Sequence, residues 1–432
     1  QDCLLMKIDV MTKDKDTKTV VPALRFPEFR DGEGWKRTPI LEICEIIGGG
    51  TPTSSNDVYW NGDIPWISSS DINENNISEI TPTRHITKDA IKNSATKLCK
   101  APSIHIVSRV GVGKVAFSRV DICTSQDFTN LCNINCNYIF LSYLLSIIMK
   151  QKVQETQGTS IKGIASAEIK NLHVPLPEIE EQQRIADCLS SLDDLISAVA
   201  DKIETLKEYK KGLMQQLFPA EGKTIPAIRF PEFQNAGEWE VDNEFSQYIK
   251  LYRGSSPRPI KEYLTQDIDG VNWIKIGDTK SSKNYIINNV EEKITQKGST
   301  KSRYVYQGEL ILANSMSFGK TYLLEVEGCI YDGWFVLREY ENNYYKPFLL
   351  HLLNSEYMQN QYLKLSAGGI VLNISSDIVY QTKLPHTSID EQQKIADCLS
   401  SVDELISTET AKLDQLKKHK KGLMQQLFPK LQ

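Results

Sequence analysis

Two stretches of the chain carry apolar residues in strict 4-3 spacing. The first seam is Ile185, Leu189, Leu192, Ile196, Val199, Ile203, Leu206, Leu213 and Leu217. The second is Ile395, Leu399, Val402, Ile406, Leu413, Leu416, Leu423 and Leu427, with Glu409 where the first has Val199. No proline interrupts either stretch, and glycine enters only near the end, at Gly212 and Gly422. Seams of this length predict two helices of about 37 residues, roughly 55 Å each. Lys210 and Lys420 each occupy a seam position. If the helices pack antiparallel in full register, Lys210 falls near Asp403 and Lys420 near Asp193. Each pair would neutralise a buried lysine and fix the register. The alternative is a coiled coil formed between two chains.

The helices belong to a larger duplication. Residues 181–219 and 391–429 align without a gap and share 27 of 39 positions. A second repeat precedes each half: VPALRFPEFRDGEGWK at 21–36 and IPAIRFPEFQNAGEWE at 225–240. The stretches between, 37–178 and 241–388, share only scattered patterns. Retained flanks imply one task performed twice. Divergent middles imply two different targets.

Each middle reads as mixed strand and helix. In the first, 64–72, 103–110, 114–122 and 172–177 read as strands and 138–157 as a helix. In the second, 271–279, 308–315, 321–333 and 335–340 read as strands and 344–365 as a helix, and the order strands, helix, loop, final strand is common to both. The apolar run from Tyr138 to Met149 is too short to span a bilayer, which takes about 20 residues. No membrane association is expected, and no signal sequence is evident at the first residues. The natural start is expected at Met6 or Met11, with residues 1–20 poorly ordered. Nine cysteines lack zinc-type pairing, which fits reduced thiols in the cytoplasm.

Charge argues against a simple cationic clamp. The net charge is −5. Residues 36–178 hold 14 Lys and Arg against 13 Asp and Glu, and residues 240–388 hold 16 against 17. Nucleic-acid binding by electrostatics alone calls for a basic excess.

The RFPEF–W entry segment, the GGTPT loop, the PWISSSDI strand, the GTSIKGI loop and the EQQRIADCL helix start together resemble the specificity subunit (HsdS) of Type I restriction–modification systems. The resemblance runs from about residue 21 to 430. The second middle departs more, with RGSSPRPI for GGGTPTSS and SAGGIVLNIS for GTSIKGIA. The resemblance implies an α+β fold: two α/β target recognition domains joined by two long antiparallel coiled-coil helices with pseudo-twofold symmetry. The domains would cover 21–178 and 220–388, the latter with a linker at 220–240, and the helices 179–219 and 389–432. Each domain would read half of a bipartite site in double-stranded DNA. The helices would set the spacer and dock two methyltransferase (M) subunits, through which two restriction (R) subunits join. No cofactor is expected in this chain; S-adenosylmethionine and ATP with Mg would sit on the partners.

Loops with glycine, hydroxyls and isolated polar groups are the candidates for DNA contact. In the first domain these are Thr51, Pro52, Thr53, Ser54, Ser68, Ser69, Ser70, Asp71, Arg109, Lys114, Ser125, Gln126, Asp127, Thr159, Ser160, Lys162 and Gly163. In the second they are Arg253, Ser255, Ser256, Arg258, Lys275, Asp278, Asn314, Ser315, Lys320, Tyr331, Asp332, Gly368, Gly369 and Asn373. The GLMQQLFP tails offer Leu213, Met214, Leu217 and Phe218, and Leu423, Met424, Leu427 and Phe428. These cannot all face one seam, so part of each tail is expected to lie exposed for a partner, or else to dock on the chain's own domains.

No catalytic residues and no metal site are expected. Gly111-Val112-Gly113-Lys114 reads as a glycine turn. Phe318-Gly319-Lys320-Thr321 lacks the earlier glycine of a phosphate loop, since Asn314 stands there. No Asn/Asp-Pro-Pro-aromatic segment is present. Two rivals remain open: a spacer holding two protein-binding domains, and an unrecognised hydrolase.

Overall fold

In the computed structural model both seams are helical, over Ile179–Leu217 and Ile389–Leu427. The structure describes residues 19–155, 163–282, 284–315, 319–366 and 374–430. The fold is mixed α+β. The chain divides into two compact units that cut across the repeat. One contains residues up to 198 with 413 onward, and the other 199–412. Each unit therefore holds one variable middle, the start of one long helix and the end of the other.

The first unit carries three small sheets. Trp35–Pro39 pairs with Thr19–Val20 on one side and His173–Leu176 on the other. Thr19 and Val20 thus lie in a strand, whereas residues 1–18 are outside the described set. A second sheet orders Glu45–Gly48, Phe128–Cys132, Ser103–Val107 and Val115–Ser118, all antiparallel. A third orders Arg84–Ile86, Trp60–Ile67, Ile122–Thr124 and Leu98–Cys99, with Trp60–Ile67 parallel to Ile122–Thr124. The helix Tyr138–Glu155 is apolar nearly all round, because it is covered on most sides by this core.

The second unit repeats the plan in two five-stranded sheets. Lys250–Arg253, Trp334–Arg338, Leu310–Ala313 and Thr321–Leu324 are antiparallel, and Ile286–Ile287 adds in parallel. In the other sheet Val271–Ile274 runs parallel to Gly328–Ile330. Two differences from the sequence expectation stand out. The helix expected over 344–365 is two, Lys346–Leu353 and Glu356–Ser366. Asn354 breaks it by turning its side chain onto the Leu350 and Thr321 carbonyls, 3.0 and 2.8 Å. The expected final strand is reduced to bridges Glu240–His386 and Glu244–Lys383, whose pairing slips by one residue and so forms no ladder.

The tails are core elements. Leu427 and Phe428 are buried in the first unit, with Phe428 5.3 Å from Phe140 and 6.2 Å from Trp35. Leu217 and Phe218 fill the second unit, with Phe218 5.6 Å from Phe348. The expected exposure is therefore corrected for these four residues: aromatic cages inside the chain's own units take them. Leu213 and Met214, and Leu423 and Met424, are half-buried against the same cores.

The RFPEF segments lock each seat. Arg25 makes a paired bond to Glu181 (2.7 Å to each oxygen), and Arg229 does the same with Glu391 (2.6 and 2.7 Å). The leftover guanidinium N–H groups donate to backbone carbonyls at Gly32 and Glu33, and at Ala236 and Gly237. Leu24 N donates to Gln426 O, as Ile228 N does to Gln216 O. Both short repeats thus make the same contacts with the helices.

Candidate nucleic-acid interface

Five separated segments converge in each unit through the same set of backbone bonds. In the first unit Gly49 and Gly50 donate to Phe128 and Thr124 carbonyls, at 3.3 and 2.9 Å. Ser125 N reaches Ile67 O, Ser108 N reaches Asp127 O, and Ile164 N reaches Ser108 O (2.8–2.9 Å). In the second unit the equivalents are Gly254 to Trp334, Ser255 to Ile330, Tyr331 to Ile274, Asn314 to Gly333 and Ile374 to Asn314. A Cβ on Gly49 would lie 1.9 Å from Ser125 O, and one on Gly254 2.0 Å from Tyr331 O. Only glycine lets the loop close this tightly on its neighbour.

The matching bonds place residues in equivalent positions. Thr51, Pro52 and Thr53 correspond to Ser256, Pro257 and Arg258, with both prolines buried. Gln126 corresponds to Asp332. Thr51 donates its hydroxyl to the Gln126 side-chain oxygen, and Ser256 donates to the Asp332 carboxylate. Arg258 adds a contact to Asp332 at 3.5 Å, and Arg253 Nε donates to Asp332 O at 3.3 Å. The Ser256 hydroxyl bond and the two arginines hold the Asp332 carboxyl below its ordinary range, so it is anionic. Thr51, Thr53, Ser54, Gln126 and Arg109 are exposed in the first unit, and Arg253, Ser255 and Arg258 in the second.

Other candidates are committed to the fold. Ser68 N and Oγ bond Asp71 Oδ2 at 2.7 and 2.8 Å, closing a turn in which Asp71 is buried. Lys275 N and Asp278 repeat it, and burial raises the Asp278 carboxyl. Lys114 spends its ammonium on the Ser69 and Ile72 carbonyls, at 3.1 and 3.3 Å. Lys275 is paired with Glu292. Ser125 is buried and bonds Asp127, at 3.3 Å. Asn314 is buried, donating to Asp332 O at 2.9 Å. Lys320 is half-buried 5.9 Å over the Tyr285 ring, and desolvation lowers its pKa. Burial pushes the Tyr331 phenol up, against a bond to Ser315. Ser69 and Ser70 line the first turn, where Ser70 lies 2.9 Å from Ser68, and Gly163 is half-buried. Thr159, Ser160, Lys162, Gly368, Gly369 and Asn373 lie outside the described residues.

Sequence reasoning missed the braces. Trp66 Nε1 and Thr96 Oγ1 both donate to Gly50 O, at 3.0 and 2.8 Å, and Trp60 Nε1 reaches Thr53 O at 3.3 Å. Arg84 stacks over Trp66 at 4.2 Å. The tryptophan pair flanking a strand was the available signal, since an indole N–H in a half-buried strand needs an acceptor.

A family model described as the Type I restriction modification DNA specificity domain matches residues 32–208 and 249–418. The putative type I restriction enzyme MjaX specificity subunit of Methanocaldococcus jannaschii is 24% identical over 410 residues, 92% of this chain and 93% of that protein. The MjaIX specificity subunit of the same organism is 29% identical over 219 residues, so the chain spans about half of that relative, 48%. The EcoR124I/EcoR124II specificity subunit of Escherichia coli is 32% identical over 184 residues, 40% of this chain and 44% of that one. Among solved structures, the S subunit from M. genitalium superposes with a TM-score of 0.56 at 15% identity, covering 95% of this chain and all of that one, 100%. A chain from a study of complex assembly and conformational transition of the type I R-M system gives 0.58 at 16%, covering 91% and 96%. These two likenesses concern the fold. Among the described residues no helix is long and apolar enough to cross a membrane.

Proposed function

The chain belongs to the Type I restriction modification DNA specificity family, and we propose that it selects the DNA sequence on which a Type I complex acts. Each unit reads one half of a bipartite site in double-stranded DNA, and the long helices set the spacing. Two methyltransferase subunits dock on the chain and bring S-adenosylmethionine for transfer to adenine N6. ATP-dependent restriction subunits join through them, and this chain contributes no catalytic group.

The observation that carries this reading is the pair of loop frames closed by equivalent backbone bonds and holding different side chains. One pattern of backbone bonds repeated twice, with different polar side chains at its exposed positions, suits two half-sites of different sequence. Near-neutral domains fit a protein that binds DNA tightly only with its partners, so the salt dependence of this chain alone should be shallow. Partner docking falls to what the helices leave accessible: Leu195 and Leu405, equivalent in the repeat, are both exposed.

The test is a map of N6-methyladenine in the cell carrying the gene, with and without it. Loss of one split motif, methylated on both strands, is expected. An unchanged map would overturn the reading.

A further inference from the structure

The equivalence of the two loop frames assigns more than a shared scaffold. We propose that residues 51, 53 and 126 in the first unit, and 256, 258 and 332 in the second, form one base-reading slot built twice. The first copy takes an adenine and the second a guanine–cytosine pair. This rests on the DNA-selecting function proposed above.

The slot has the same construction in both units. A glycine pressed on the facing carbonyl starts the loop, a buried proline fixes its middle, and a hydroxyl residue reaches across to residue 126 or 332. The bond from the hydroxyl orients the acceptor, so the terminal group is held rather than free to rotate. The chemistry presented differs. In the first unit the hydroxyl takes one lone pair of the Gln126 carbonyl oxygen. The second lone pair and the amide N–H₂ remain, which are the acceptor and donor that match N6 and N7 of adenine. Thr53 beside it is neutral and short.

In the second unit Asp332 is a carboxylate that accepts from Ser256 and faces the Arg258 guanidinium 3.5 Å away. Arg258 is 80% exposed, so its remaining N–H groups are free of the fold. A guanidinium steered by a carboxylate presents two parallel donors, which fit O6 and N7 of guanine, while the carboxylate can accept from N4 of the paired cytosine. Neither set suits the other's base: an amide cannot give two donors along one edge as an arginine does, Arg258 has no acceptor for N6 of adenine, and Asp332 would repel O4 of the thymine paired with it.

The experiment uses the whole gene in its own complex and reads the methylated motif. Arg258→Ala should relax one G·C position in one half-site, with discrimination there falling roughly ten- to a hundred-fold, and leave the other half-site intact. Gln126→Ala should relax one A·T position in the other half-site only. Arg258→Met serves where the alanine variant fails to accumulate: it keeps most of the side chain's reach and loses every donor, so the same position should relax. The double variant Thr53→Arg with Gln126→Asp should bring a preference for G·C to the first half-site. A motif that still depends on the gene but is unchanged by both Arg258→Ala and Arg258→Met overturns the slot, as does relaxation at an A·T pair. If no motif depends on the intact gene, the DNA-selecting function falls with it.

Discussion

The two units seat their helices with the same residues at one place and different residues at another. At the tails everything is kept: Arg25–Glu181 against Arg229–Glu391, and buried Phe428 against buried Phe218. Deeper along the helices the partners diverge. Asn137 N donates to Gln182 Oε1 as Tyr345 N donates to Gln392 Oε1, at 3.0 and 2.9 Å, which makes Tyr143 and His351 equivalent. In the first unit Asp193 takes Lys420 and also the Tyr143 hydroxyl at 2.6 Å. In the second, Asp403 takes Lys210 at 2.5 Å, with His351 3.9 Å away. There a cavity of about 890 Å³ opens, with His351, Tyr285, Tyr322 and Lys210 among its lining residues. Duplication has thus preserved the contacts whose two sides both lie in the repeats. Contacts with a variable middle are kept only in part: Phe140 and Phe348 each meet a tail phenylalanine, whereas Tyr143 is replaced by His351.

The largest effects should fall on the preserved part and be equal in both units. Phe428→Ala and Phe218→Ala each empty an aromatic cage and should cost about 3–5 kcal/mol. Denaturant unfolding of the two variants checks this. A tail that costs little in one unit would show that its burial there is not doing the same job, and the symmetry would fail at its strongest point.

The sequence foretold the seam better than the seats. Seam spacing and the lack of proline determine a helix locally, so Ile179–Leu217 and Ile389–Leu427 were legible, as were the pairs of Lys210 with Asp403 and Lys420 with Asp193. The tails were not, because a run such as GLMQQLFP states that it must be buried and not against what. Phe428 is covered by Trp35 and Phe140, which are distant in sequence. The break at Asn354–Ser355 was readable, since Ser355 Oγ accepts from Met358 N at 3.4 Å as a helix start does. In the candidate interface, the loops were visible from their glycines and hydroxyls. Their pairing, Thr51 with Gln126 and Ser256 with Asp332, was not, because it depends on which strand lies beside each loop.

The ion pairs give the next test, and here the units should differ. Burial pushes the Asp403 carboxyl up and Lys210 pulls it back. Lys210→Met leaves a buried carboxyl without its cation and should cost about 3 kcal/mol. Lys420→Met leaves Asp193 with the Tyr143 hydroxyl still donating, so the cost should be smaller by about 1 kcal/mol. Equal costs would mean the tyrosine bond adds nothing.

The smallest effect, and the one that isolates the drifted seat, comes from restoring its tyrosine. His351 is buried, and desolvation with Lys210 nearby lowers its pKa to about 3. It is therefore neutral in the folded chain at pH 7. An unfolded histidine protonates near 6.5, so between about 6.5 and 3 the unfolded state binds the extra proton. Stability from this group is complete above 6.5 and is lost as pH falls through that window, by about 2 kcal/mol at pH 5. Asp403, with its raised pKa, acts in the opposite sense: its folded form binds the proton first, so acid relieves its burial between its unfolded and folded values. His105 in the first unit, lowered by burial to about 4, adds a loss of the same sign as His351. His351→Tyr removes the titration, fills part of the cavity and puts a hydroxyl in reach of Asp403. Stability at pH 7 should change by less than about 1 kcal/mol. Between pH 6.5 and 5 the fall should be shallower than in the parent, leaving mainly the His105 share. Thermal unfolding of both proteins across that range reads the difference directly. Parallel curves would show that His351 is protonated without cost, and that the second seat is open to water.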